Sequence, residues 1–357
     1  MGHPGDAQPD RGAIENPVIN SPFVEPARHF RVVDGQVTGE IEPRRRPSEF
    51  FVPVAPPKKR SGQLTLDQFG GPKRQQPNEI VNEIRQSVDR WRRSGYPHVT
   101  ATTRDLLAHW QDTERERRLF FCQIEAAETA IYLTEAAEKI GDTKALNVIR
   151  DENARHNGGL PRFAFKMATG SGKTVLMGML IAWQTLNKVA NPQDRRFSTN
   201  FLLVAPGITI RDRLRVLIPN DPGNYYRLMD LVTAEQHDRL QAATVLVTNY
   251  HAFIRRDKIE AASLTKKILT KFDEDDERFR ETPAEMVRRV CRVFGNARNI
   301  VVLNDEAHHC YAPAPKDEAE EGTLEADERT QARKDLEEAR VWLSGLQAVQ
   351  AKLGVRS

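Results

Sequence analysis

The chain has 357 residues, enough for about two domains and a sizeable core. Its 53 Lys and Arg against 50 Asp and Glu leave a formal charge of +3, so any nucleic-acid surface must be local. The three cysteines, Cys122, Cys291 and Cys310, lie far apart, which excludes a disulfide framework and a four-cysteine zinc site and suits a reducing cytoplasm. The first ten residues carry no basic-then-apolar leader. The longest uncharged helical run, Thr174 to Asn187, falls short of the roughly 20 residues of a membrane span, so no membrane partner is expected.

Residues 1–78 read as a Pro-rich arm, because 12 of the 21 prolines fall there. Proline at that density removes backbone donors and breaks helices and strands, so the arm is expected to be extended or largely disordered. Ile19 to Phe23 and Glu49 to Val52 are candidate docking segments within it. The arm reads as a solvated tail, as a strap over another part of a larger protein, or as a DNA-contacting element. Residues 79–114 form a helical segment. Ile80, Ile84, Val88 and Trp91 recur at helical spacing behind the N-cap Asn78, and Thr102-Thr103 opens a second helix through Leu106, Leu107 and Trp110. A longer helix is predicted from about Glu116 to Lys139.

Beyond the break at Asn157-Gly158-Gly159 the pattern becomes α/β. Strands are predicted at 162–167, 200–204, 243–248 and 299–303, the last expected to be buried on both faces. Helices are predicted at 172–187, 209–216, 284–294 and 328–353, with acidic stretches at 273–277 and 317–328. Strands alternating with helices predict a mostly parallel, doubly wound sheet.

The strongest motif is Met167-Ala168-Thr169-Gly170-Ser171-Gly172-Lys173-Thr174, placed between a predicted strand and a helix. Its glycines let the backbone wrap around phosphate, and the N–H groups of the loop and first helical turn face the anion. Lys173 is positioned to reach the β- and γ-phosphates of ATP, and the Thr174 hydroxyl to ligate Mg²⁺. Met167 stands where the strict phosphate-loop pattern has glycine, a variant familiar in helicase-like motors.

Asp305-Glu306-Ala307-His308 follows the last predicted strand. Asp305 is the candidate Mg²⁺ holder, Glu306 the group that orients the attacking water, and His308 a reporter of the γ-phosphate. Alone, Asp-Glu at a strand end often serves as a helix cap; with a phosphate loop about 130 residues upstream the pair reads as catalytic. His308-His309-Cys310 does not make a zinc site, because three neighbouring residues cannot all face one metal. Gln123 offers a donor and an acceptor suited to the adenine edge, with Arg118 or a nearby Phe as a stacking surface. After the middle strands, Pro206, Gly207 and Arg211, and Thr248, Asn249 and His251, place small, polar or basic groups where DNA phosphates can be held without reading sequence. Each of these groups also reads as an ordinary turn or cap.

Together, Phe121 to Ala126, Met167 to Thr174, Val204 to Leu214, Val247 to Phe253 and Asn304-Asp305-Glu306-Ala307-His308-His309-Cys310-Tyr311 resemble the superfamily-2 DEAH-type helicase motor of the restriction subunit of type III restriction enzymes. The resemblance covers about residues 79–357. It implies that residues 115–357 form the first RecA-like lobe, with ATP and Mg²⁺ as cofactors. It also implies double-stranded DNA as the substrate track and a DNA methyltransferase as a possible partner. In the family a Ser-Ala-Thr motif, a second lobe with an arginine finger, and a nuclease follow; the 357 residues contain none of these. The resemblance therefore implies an N-terminal portion of a longer protein. Without the finger, which contributes about 10³ to 10⁵ in rate, hydrolysis by this portion is expected to be very slow and cleavage absent. The competing readings are a nucleotide-gated DNA-binding or interaction module, and a helicase with no part in restriction.

Overall fold

A computed structural model describes residues 16–33, 36–53, 73–257, 280–307 and 326–356. The chain divides into two compact units, Met1–His98 with Thr113–Ala145, and Val99–Asp112 with Leu146–Ser357.

In the first unit, strand β1 (His29–Val33) pairs antiparallel with β2 (Gln36–Glu42), and β3 (Glu49–Pro53) with β4 (Lys73–Pro77). Part of the stretch predicted as an arm thus forms regular structure, and the Glu49 docking segment becomes a strand. Residues 1–15 and 54–72 lie outside the described residues. The helix Glu79–Arg93 buries Ile84, Val88 and Trp91 on one face, and the Asn78 side chain accepts the Val81 N–H as its N-cap. The helix predicted from Glu116 begins later, at Phe121. Phe120 is extended, and the Gln123 side-chain oxygen accepts its N–H at 2.9 Å, so the reciprocal cap fixes the start there. The helix passes through one π turn, Tyr132–Ala136, and stops at Ile140, where Gly141 takes φ +86°.

In the second unit, four parallel strands lie in the order β6-β5-β7-β8, with β5 at Asn200–Ala205, β6 at Thr244–Asn249, β7 at Ile300–Asn304 and β8 at Val355–Arg356. Helices flank this sheet, giving the predicted RecA-like α/β architecture. The chain runs from β5 outward to β6 and then returns to the other side of β5 as β7. The winding reverses between β5 and β7, and the crevice beyond their carboxyl ends is where such sheets bind ligands. Only β5 is buried along nearly its whole length. β7 buries Ile300 and leaves Val301 to Asn304 half-buried, because its outer neighbour β8 supplies just two residues.

The strand predicted at 162–167 is not formed. Residues 162–167 are irregular, and Phe163 is exposed. Its first residue is tied back instead: the Arg162 N–H donates to the Asn153 side chain at 2.7 Å and its guanidinium to Asn157 at 2.6 Å. A strand needs a ladder partner, and among the described residues none pairs with this segment.

The helix after the phosphate loop, Lys173–Ala190, is apolar on almost every side and mostly buried. Two polar cross-links fix it to the helix Ala101–Gln111, where Thr103 Oγ1 accepts from Trp183 Nε1 at 3.1 Å and from Asn187 Nδ2 at 2.9 Å. On the other side of the sheet, the long helix Ala326–Leu353 packs Trp342, Leu346 and Val349 into a core with Leu202, Val204 and Ile300. No helix among the described residues is long and apolar enough to cross a membrane.

Candidate functional site

Ala168, Thr169 and Gly170 form an open turn. It is closed by the Ser171 N–H and hydroxyl, both donating to the Ala168 carbonyl at 3.2 and 2.6 Å. Gly170 and Gly172 take φ of +79° and +82°, the left-handed region that favours glycine. Gly172 is the N-cap of the helix, and the first helical hydrogen bond, Leu176 N–H to Gly172 C=O, leaves the N–H groups of Lys173 and Thr174 facing outward. The result is a concave run of backbone donors at the positive end of an 18-residue helix.

Asp305 and Glu306 sit at the end of β7, next to this loop. The Asp305 N–H extends the ladder by donating to the Val204 carbonyl of β5 at 3.0 Å. The chain then turns sharply, with Glu306 at φ +51°, a costly conformation for a residue with a long side chain. The Glu306 N–H donates to the Asp305 carboxylate at 3.1 Å. Lys173 Nζ stands 3.5 Å from Glu306 Oε1. Burial pushes the Asp305 carboxyl above its ordinary value and the neighbouring Glu306 charge adds to this, while the Glu306 N–H and Lys173 partly offset them. A half-buried carboxylate destabilised in this way is suited to a cation.

The structure thus brings Lys173, with Thr174 next to it in the helix, beside Asp305 and Glu306, which lie more than 100 positions away in the chain. Their donor set fits a nucleotide phosphate chain with its Mg²⁺: backbone N–H groups and an ammonium for the anion, a hydroxyl and carboxylates for the metal. His308 lies outside the described residues, as do His309, Cys310 and the acidic stretch 273–277.

Pro206 and Gly207 follow β5, and Gly207 is the N-cap of the short helix Ile208–Arg213. The Arg211 guanidinium donates to its neighbour Asp212 at 2.8 Å. Thr248 and Asn249 end β6, in register with Val204 and Ala205, and His251 is exposed in the turn Tyr250–Phe253. These groups therefore share the carboxyl edge of the sheet with the carboxylate pair. Gln123 belongs to the first unit, where it is buried and caps its own helix. Arg118 lies over the Phe23 ring at 4.7 Å, and the Pro22 carbonyl accepts the Phe121 N–H, so the Ile19–Phe23 segment docks on the start of the Gln123 helix. Arg45 adds a bidentate pair with Glu125 of that helix, a contact 80 residues long in sequence for which no local signal exists.

A parallel RecA-like sheet with a glycine loop and helix start beside two strand-end carboxylates defines the class: a P-loop α/β lobe. A family model described as type III restriction enzyme, res subunit, matches residues 118–326. That is more than half of the chain, and the chain belongs to this family of helicase-like ATPases. No curated protein and no solved structure matches it.

Proposed function

We propose that this chain is the ATP-binding lobe of a DNA-dependent ATPase and translocase of a type III-like restriction endonuclease. The observation that carries the reading is the placement of Lys173, at the start of a helix behind two left-handed glycines, 3.5 Å from Glu306 at the end of β7. In this reading the N–H groups of residues 168–174 and the Lys173 ammonium hold the triphosphate. Thr174 and Asp305 hold Mg²⁺, which supplies neutralisation of charge on the phosphates. Glu306 orients the attacking water, and His308 responds to the γ-phosphate. Pro206, Gly207, Arg211, Thr248, Asn249 and His251 hold the phosphates of double-stranded DNA, a contact that weakens with salt. Residues 115–357 would make this lobe, residues 79–114 its helical preface and residues 1–78 an arm. A modification methyltransferase is the expected partner of the whole enzyme.

The ion pair between Lys173 and Glu306 supports this reading chemically. Both side chains are about one-third exposed, so the pair is weak and an arriving phosphate can displace the carboxylate. The test is binding of a fluorescent ATP analogue with Mg²⁺, read by anisotropy. Saturable binding by the wild type and its loss in Lys173→Ala are expected. Equal binding by both would overturn the reading. Salt-sensitive binding of duplex DNA that weakens in Asn249→Ala tests the DNA surface separately.

A further inference from the structure

The last residue of β7, Asn304, is held from outside the sheet. The Trp342 indole N–H donates to Asn304 Oδ1 at 3.2 Å. Trp342 is fully buried on the helix Ala326–Leu353, where an indole N–H needs an acceptor. The next residue after Asn304 is Asp305, whose N–H is tied to Val204. The exit of β7 is therefore pinned on two sides, by the neighbouring strand and by Trp342, immediately before the carboxylate pair.

The same tryptophan touches the edge of β6. Its ring stacks on Tyr250, with centroids 5.6 Å apart and planes 8° from parallel. Tyr250 in turn stacks on the exposed His251 ring at 4.0 Å and 28°. Phe253 closes the turn against Gly345, which is buried. One helix thus grips the four-residue turn Tyr250–Phe253 at Trp342 and at Gly345, and Trp342 also holds the end of β7. Packed, stiff contacts of this kind transmit small shifts because the side chains cannot yield independently.

We propose that Trp342 is a positioning residue: its N–H holds the strand end that presents Asp305 and Glu306, and its stack with Tyr250 carries the nucleotide state of that pair to the ring of His251. The proposal rests on the nucleotide-site reading above. By linkage, a ligand seated at His251 biases the carboxylates in return.

The test is NMR of the chain labelled with ¹³C-histidine, with His251 assigned by its loss in His251→Gln. The ligand is the Mg²⁺ complex of a non-hydrolysable ATP analogue, and its binding is followed independently with the fluorescent nucleotide. The His251 signal shifts on saturation in the wild type. In Trp342→Phe, which keeps a stacking ring and removes the N–H, nucleotide binds with affinity close to wild type and the His251 shift is lost. Should Trp342→Phe fail to melt cooperatively, Asn304→Ala removes the acceptor instead, with the same result expected. A His251 signal that ignores bound nucleotide, or that shifts equally in the variant, overturns the relay and leaves the nucleotide site standing. Absence of nucleotide binding in the wild type overturns both.

Discussion

Two residues set the chemistry of the proposed site, and each has a measurable signature. Asp305 is held with its carboxyl above the ordinary 3.8 by burial and by the Glu306 charge. Below 3.8 it is neutral in the folded and unfolded chains alike and costs nothing. As pH rises through its folded value, ionisation penalises the folded state. Asp305→Asn is therefore expected to melt at a higher temperature than wild type at neutral pH. The gap should close as pH falls toward 3.8, and thermal melts of both proteins across pH check this. Glu306 carries the other signature. Glu306→Gln removes the carboxylate that competes for Lys173, so nucleotide affinity should stay at or above the wild-type value while any ATP turnover is lost. Phosphate-release assays alongside the titration decide it, and undiminished turnover would remove Glu306 from the catalytic role.

At the scale of elements, the sequence revealed most where burial is one-sided or complete. The helix Glu79–Arg93 announces itself through Ile84, Val88 and Trp91, and the strand β5 through its apolar run. The helix Thr143–His156 was missed because it buries only Ala145 and so has no apolar stripe to read. β4 is Lys-Arg-Gln-Gln-Pro, which carries no strand signature, and its partner β3 lies some 20 residues earlier in the chain. The opposite error came at 162–167, where apolar residues imitate a strand but hydrogen bonds from Arg162 to Asn153 and Asn157 hold the chain elsewhere. Of the candidate site, the loop and the carboxylates were legible as motifs. The contact between Trp342 and Asn304 was not, because it joins residues 38 apart through a side-chain bond that no spacing encodes. Packing at this scale makes two predictions. A Cβ on Gly345 would meet Phe253 Cγ at 2.5 Å, so Gly345→Ala should destabilise the second unit by about 1–3 kcal/mol in urea titration. In the first unit, Arg92 and the Tyr96 hydroxyl surround the fully buried Glu128 carboxylate. Arg92→Met removes the bidentate cation from that buried charge and should cost about 3–5 kcal/mol.

At the scale of the molecule, the order β6-β5-β7-β8 explains why residues from four distant segments share one edge. Parallel strands deliver all their carboxyl ends to the same side, and the reversal between β5 and β7 opens the crevice there. The loop before Lys173 and the turn after Asn304 meet at that edge, with Pro206 and Asn249 on the neighbouring strand ends. The central claim is that this edge binds ATP with Mg²⁺. The most direct measurement is the melting temperature of the chain titrated with ATP, with and without Mg²⁺, for wild type and Lys173→Ala. A ligand at 100 times its Kd stabilises by about 2.7 kcal/mol, which is readily seen in a melt. A Mg²⁺-dependent rise is expected in the wild type and none in Lys173→Ala. A wild-type melt that ATP does not move, or an equal rise in both proteins, would contradict it.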